Sequence, residues 1–193
     1  MSNYLRPAAL MLLLLTLATG VVYPALVTLV AQTVFAEQAN GSLIKNSQGD
    51  AVGSKLIGQA FSDPQYFWSR PSATANYPYN AAASGGSNLG PTNPALSEAV
   101  AARIRALKDV DPGNHLPIPV DLVTASASGL DPHISPAAAQ YQVQRIAKRR
   151  KIDESKIREL IAAHSEGRQW GVFGEPRVNV LQLNLALDRV GKS

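Results

Sequence analysis

PAALMLLLLTLATGVVYPALVTLVAQTVFA, residues Pro7 to Ala36, carries no charged side chain from end to end. At a rise of about 1.5 Å per residue, roughly thirty helical residues reach about 45 Å, more than the ~30 Å hydrocarbon core of a bilayer. Tilt or an interfacial last turn absorbs the excess. The stretch therefore reads as a membrane-spanning helix. Gly20 and Pro24 would weaken a helix exposed to water, but in lipid they are tolerated where neighbouring groups re-satisfy the backbone. Thr16, Thr19, Gly20, Pro24 and Thr28 place small, hydroxyl-bearing or helix-bending residues along the span, which suits close packing against partner helices. A lone lipid anchor is the plainer alternative.

A cleaved signal peptide competes with this reading, because Val34-Phe35-Ala36 resembles a small-x-small cleavage site and Arg6 supplies a thin positive flank. The apolar core of such peptides is ~7 to 15 residues, and this run is about twice as long. Arg6 precedes the span, whereas the first charge after it is Glu37. The positive-inside bias therefore puts the N-terminus in the cytoplasm and the bulk of the chain outside the membrane. The chain divides into a short tail (1–6), a transmembrane helix (7–36) and one soluble domain (37–193).

All but one of the 18 basic residues and all 14 acidic residues lie beyond Ala36, leaving that part at a mild +3. Its length suits one small domain with its own core. There is no cysteine, so packing and hydrogen bonds must hold it.

Strand-like pieces occur around Leu43-Ile44 and from Val52 to Ile57, with Gly49-Asp50 as a turn. Phe61 to Tyr79 is rich in aromatic residues around Arg70. Ser72 to Asn93 then lacks any helix or strand period, and loops that long are functional or disordered. Its tyrosines argue for order. Asn93-Pro94 caps a helix with Leu96, Val100, Ile104 and Leu107 on one stripe. Ile118, Val120, Leu122 and Thr124 alternate as in a strand, which ends in a sharp turn at Ser126-Ala127-Ser128-Gly129. Ser135-Pro136 caps a helix with Ala139, Val143, Ile146 and Ala147 inward. Further helices follow Asp153 (Ile157, Leu160, Ile161 inward) and Asn179 (Val180, Leu183, Leu187 inward). The expected fold is an α+β domain behind one transmembrane helix.

Catalytic patterns are near misses. Gly191-Lys192-Ser193 looks like the end of a phosphate loop, but Ala186 stands where the first glycine belongs. Ser42-Leu43-Ile44-Lys45 satisfies S-x-x-K without the K-T-G element such serine acyltransferases need. Ser126 and Ser128 lack a G-x-S-x-G setting. His115, His133 and His164 are isolated, without metal-ligand spacing. Arg145, Lys148, Arg149, Arg150 and Lys151 close a helix, where its dipole favours cations; a polyanion patch is the alternative, and no nucleic-acid partner is expected.

The motifs that do recur are longer: GSKLIGQAF (Gly53 to Phe61), YFWSRPSAT (Tyr66 to Thr74), YPYNAAASGGSNLGPTNPAL (Tyr77 to Leu96), PVDLVTASASGLDPHISPAAAQYQ (Pro119 to Gln142) and VNVLQLNLALD (Val178 to Asp188). Together with LRPA (Leu5 to Ala8) and the single span, they resemble the C-subunit family of the bacterial Kdp potassium-transporting ATPase. The resemblance covers nearly the whole chain; Asp109 to His115 and Arg145 to Val172 depart from it.

The resemblance implies an accessory, non-catalytic subunit in the bacterial cytoplasmic membrane, working with a channel-like potassium-binding subunit and a P-type ATPase subunit. It also implies a catalytic-chaperone role that raises the ATP affinity of the ATPase subunit. ATP and potassium would be handled by the complex, since no cofactor motif is recognisable in this chain. The alternative is a free-standing anchored binding or hydrolytic domain. The long polar loop, in a domain without a catalytic set, points to a docking surface or ion entrance built from Tyr66, Arg70, Ser72, Tyr79, Asn80, Ser84, Gly85, Gly86 and Asn88 with Ser126, Ser128, Gly129 and Asp131. The plainer alternative is that these groups only satisfy loop backbone.

Overall fold

A computed structural model describes residues 2–46 and 48–190, with side chains described from Tyr4 onward. The Gly191-Lys192-Ser193 terminus lies outside the described residues. The chain separates into two compact units, 1–43 and 44–193.

In the first unit, α1 (Ser2–Leu17) runs through a π-helical turn (Ala18–Val22) into α2 (Tyr23–Val34), followed by the short α3 (Ala36–Ala39). The π turn has a local cause. Pro24 offers no N–H, and its ring would collide with the Gly20 carbonyl one turn back. The helix widens there, so that the Tyr23 N–H donates to the Ala18 carbonyl, five residues earlier. The Thr19 hydroxyl donates to the Leu15 carbonyl at 2.7 Å. From Tyr4 to Val34 the helix is 31 residues long, and an 18-residue stretch of it has a mean hydropathy of 2.2, so it is long and apolar enough to cross a membrane.

The widening also affects which residues share a side. A four-residue step overshoots one α-helical turn by about 40°, so Thr16, Gly20, Pro24 and Thr28 would wind around a regular helix. The extra residue in the π turn takes back most of that drift. Nothing lies within 4 Å of the position a Gly20 side chain would take.

From the boundary onward, β1 (Leu43–Lys45) and β2 (Ala51–Ser54) pair as a two-stranded ribbon. Its turn is closed by Asn46, whose Oδ1 accepts from the Asp50 N–H at 2.9 Å. The chain then runs irregularly to Asn93, apart from a 3-10 turn at Ala81–Ala83. Next come α4 (Pro94–Val110), β3 (His133–Ile134), α5 (Pro136–Tyr141), α6 (Val143–Arg150), α7 (Glu154–Ala163), β4 (Ser165–Glu166), β5 (Arg177–Asn179) and α8 (Val180–Val190). Three helices have the side-chain caps expected of them: Asn93 to Ala95 N (3.0 Å), Ser135 to Ala138 N (3.0 Å) and Asp153 to Ser155 N (2.7 Å).

The strands β3, β5 and β4 form a small antiparallel sheet in that order, with His133 opposite Asn179 and Ser165 opposite Val178. Its apolar side and the helices after it enclose the core: Ile134, Val143, Ile146, Ile157, Ile161, Val178, Leu183 and Leu187 are all at most 2% exposed. The inward stripes of α7 and α8 are the expected ones.

Three elements differ from the sequence reading. The strand expected from Val52 to Ile57 ends at Ser54, and Lys55-Leu56 turn the chain away. Ile118 to Thr124 is not a strand; Val120–Leu122 is a 3-10 turn. Leu122 and Val123 are adjacent yet both buried, unlike the in-and-out alternation read for a strand with one buried face. The expected single helix after Ser135 is two, α5 and α6, broken at Gln142. That side chain is drawn sideways: Gln142 Oε1 accepts from the Trp68 N–H (2.7 Å), and Nε2 donates to the carbonyls of Trp68 and Ala138 (3.2 Å each).

Gln142 belongs to a set of buried polar side chains that replace a missing strand. The segment Asp63 to Trp68 has no ladder partner and is half-buried over most of its length, yet its Phe67 is fully buried. Asn184 acts as a surrogate peptide group, with Oδ1 accepting from Phe67 N (2.9 Å) and Nδ2 donating to Phe67 O (3.0 Å). Arg145, 3% exposed, donates to the carbonyls of Pro64 and Tyr66 and stacks 4.9 Å from the Trp68 ring centre. Arg150 donates from Nε to the Gln65 carbonyl (2.9 Å). Buried backbone groups need partners, and here side chains from α5/α6 and α8 supply them.

Candidate functional site

The polar loop from Arg70 to Asn88 is organised by Ser72. Its Oγ accepts from the Tyr79 N–H (2.9 Å) and donates to the Gly129 carbonyl (2.7 Å). One hydroxyl thus joins the loop to the turn at Ser126 to Asp131. A second bridge is the Ser128 carbonyl, which accepts from Ser84 Oγ (3.0 Å) and Gly85 N (2.9 Å). A third is the ion pair from Arg70 Nη1 to Asp131 Oδ2, at 3.1 Å. The Gly58 N–H donates to the Leu130 carbonyl at 2.8 Å, fastening the same turn from its other side.

Glycines are required where these segments touch. Gly129 sits at φ +67°, and a Cβ there would lie 2.5 Å from Thr74 Cγ2 and 2.7 Å from the Gly85 carbonyl oxygen. A Cβ on Gly58 would lie 2.4 Å from Tyr79 Cε1 and 2.6 Å from the Asp131 carbonyl oxygen. Backbone this close admits no side chain.

The structure therefore gathers Arg70, Ser72, Tyr79, Ser84, Gly85, Gly86, Ser126, Ser128, Gly129 and Asp131 into one bonded loop assembly. Asn80, 5% exposed, caps the 3-10 turn through Ala82 N and donates to the Ala75 carbonyl. Asn88 lies exposed in the left-handed region at φ +52°. Tyr66 is not part of the assembly: its hydroxyl donates to Asp188 Oδ2 (3.2 Å) and its ring lies under Arg150, 4.6 Å away. Arg145, grouped in the sequence reading with the cations that close a helix, is buried in the first turn of α6, whereas Arg150 does stand in the last turn and also donates to the Gln65 carbonyl.

Charge is settled locally as well. Burial alone would raise the Asp131 carboxyl, but hydrogen bonds from the His133 side chain and backbone, with the Arg70 charge, outweigh it and hold the group below its ordinary value of 3.8. Burial pushes the Tyr79 phenol up; its hydroxyl donates to the Arg70 carbonyl. The hydroxyls of Ser126 and Ser128 accept from the N–H groups of Gly129 (2.9 Å) and Leu130 (3.1 Å). They shape the turn.

Beside the assembly lies an open cleft of about 580 Å³ lined by Arg70, Asp121, Asp131, His133, Glu175 and Arg177. Arg70 Nε is buried there with no hydrogen-bond partner among the described residues. Among those residues, no three His, Asp or Glu side chains converge as a metal site would require.

Residues 5–189 match the family description "K+-transporting ATPase, c chain", KdpC. The chain belongs to the KdpC family. It is 63% identical over 192 residues to the potassium-transporting ATPase KdpC subunit of Dechloromonas aromatica, covering 100% of both chains. It is 61% identical to that of Methylococcus capsulatus, over 97% of this chain and 98% of the relative, and 61% identical to that of Herpetosiphon aurantiacus, over 98% of each. As a KdpC chain it is an accessory subunit of a potassium-transporting ATPase complex, and its one apolar N-terminal helix fits a single-pass membrane anchor.

Sequence reasoning missed Gln142, Arg145 and Asn184, and the projecting hairpin between β4 and β5. Asn184 carried a signal: a polar residue inside the apolar stripe Val180, Leu183, Leu187. The hairpin's signal was an aromatic residue before each glycine, Trp170-Gly171 and Phe173-Gly174.

Proposed function

We propose that this chain is a non-catalytic subunit needed to assemble and stabilise its complex, and that the Ser72-centred loop assembly is the surface it presents to a partner or to the ion entrance. The observation that carries this is the loop's construction. About twenty residues without regular structure are fixed to the 126–131 turn by three independent bridges. Rigid, internally satisfied loops of this length serve recognition. The partners are a potassium-binding channel-like subunit and a P-type ATPase subunit, with Thr16, Gly20, Pro24 and Thr28 facing a helix of one of them. ATP and potassium are handled by those subunits.

The domain lies outside the cytoplasmic membrane, following the position of Arg6 before the span and Glu37 after it. Any rise in the ATP affinity of the ATPase subunit then crosses a ~30 Å hydrocarbon core as a coupling free energy through spans or subunits.

Co-purification tests the reading. A tagged chain extracted in mild detergent should bring down two larger membrane proteins with potassium-dependent ATP hydrolysis. Arg70→Ala, which removes the third bridge, and Ser128→Ala should lower recovery of the complex or its ATPase activity. Normal values for both variants would remove the docking role, and a tagged chain that runs alone would remove the subunit role.

A further inference from the structure

From Ser165 to Arg177 the chain forms an arm with no buried side chain. β4 and β5 make its base, and Gln169 and Phe173 close its end by exchanging backbone hydrogen bonds of 2.9 and 3.0 Å. The shaft's charges are paired within it: Arg168 with Glu175 at 2.7 Å and Arg177 with Glu166 at 2.9 Å. The tip is apolar. Trp170, Val172 and Phe173 are 90%, 68% and 59% exposed, with the two rings edge-to-face at 5.9 Å.

The tip is also strained. Trp170 holds φ +51°, a left-handed conformation unfavourable for a bulky side chain. A tight turn of this kind is served well by Asn or Gly. A tryptophan there, 90% exposed with its ring edge-to-face on Phe173, buries little in the fold that displays it. Strain combined with exposed apolar surface marks a contact made with something outside the chain.

We propose that this tip inserts into the headgroup layer of the bilayer in which the chain's own span is anchored, as a second, shallow membrane contact. Four observations favour lipid. The same chain carries a 31-residue helix long and apolar enough to cross a membrane, which would keep a bilayer tethered to it. The tip is a three-residue turn between the paired Gln169 and Phe173 with every residue exposed, a form suited to entering a soft medium. The shaft's ion pairs leave no net charge awaiting a partner. The indole N–H has no hydrogen-bond partner among the described residues, and an apolar ring with one polar N–H belongs at headgroup level. The inference rests on the span being membrane-inserted.

The test uses the assembled complex in phosphatidylcholine and phosphatidylglycerol liposomes, with and without brominated acyl chains. Assembly is verified in the same sample by co-purification, so failure of the subunit reading is seen separately. Tryptophan emission is recorded for the parent and for Trp170→Phe, and the difference isolates Trp170 from Trp68 and from the other subunits. Trp170 is 90% exposed, so Trp170→Phe keeps the fold. The expected result is a Trp170 signal reduced to roughly half or less by brominated lipid and shielded from aqueous iodide, as interfacial insertion demands. Quenching by iodide without quenching by bromine would overturn the proposal. Shielding from both quenchers would also overturn it and assign the tip to a pocket on another protein.

Discussion

Asn184 offers the sharpest test of how this fold is held. Its side chain is 2% exposed and is bonded to both the N–H and the carbonyl of Phe67, itself fully buried. Asn184→Ala leaves both backbone groups unpaired in the interior, at about 1 to 3 kcal/mol each, or about 2 to 6 kcal/mol together. Against a typical domain stability of about 5 to 15 kcal/mol, that is a large share. In a domain of this size it should lower Tm by about 5 to 20 °C. The assay is thermal unfolding of the detergent-solubilised chain, followed by near-ultraviolet circular dichroism and Trp68 emission, because the membrane helix keeps its far-ultraviolet signal in detergent. Asn184→Asp should be worse still, since a carboxylate can accept from the Phe67 N–H but would face the Phe67 carbonyl with no hydrogen to offer. A loss below about 0.5 kcal/mol in Asn184→Ala, the range of an ordinary surface change, would refute the claim that this amide stands in for a missing strand.

Asp131 predicts a pH dependence. Its folded pKa lies below the ordinary 3.8, so the unfolded chain binds the proton more readily; the associated stability is present above that value and is lost as pH falls through the folded pKa. Asp131→Asn should therefore flatten the acid limb of a stability–pH curve below about pH 4, and an unchanged limb would count against the Arg70–Asp131–His133 cluster. Gly58→Ala and Gly129→Ala should each destabilise by more than about 2 kcal/mol, because backbone oxygens stand where the new methyl must go. Gly90→Ala, with nothing within 4 Å of its Cβ position, is the control and should be close to neutral in the same denaturation series. On topology, an impermeant thiol reagent should label Ser87→Cys from outside intact spheroplasts, the chain having no native cysteine; labelling only after lysis would reverse the orientation and allow direct contact with cytoplasmic ATP.

What the sequence by itself determined follows from local rules. The apolar helix was legible because thirty uncharged residues allow little else, and the starts of α4, α5 and α7 were legible because a cap acts within three residues of itself. The inward stripes of α7 and α8 followed from helical period. Where contacts span long separations, these rules fail. Asn184 meets Phe67 across 117 residues and Gln142 meets Trp68 across 74, and no periodicity relates such pairs. The break between α5 and α6 and the interior placement of Arg145 arise from backbone groups elsewhere that needed partners, and the 3-10 turn in place of a strand at Val120–Leu122 comes with the burial of both Leu122 and Val123. Arg145 shows the difference plainly: the sequence reading groups it with the cations that close a helix, whereas in the fold it sits in the first turn of α6, burial lowers its pKa to about 10 and three oxygens surround it. Sequence gave its charge and its helix, but only the tertiary structure decided that the charge faces inward, because the irregular segment it clamps has no strand neighbour of its own.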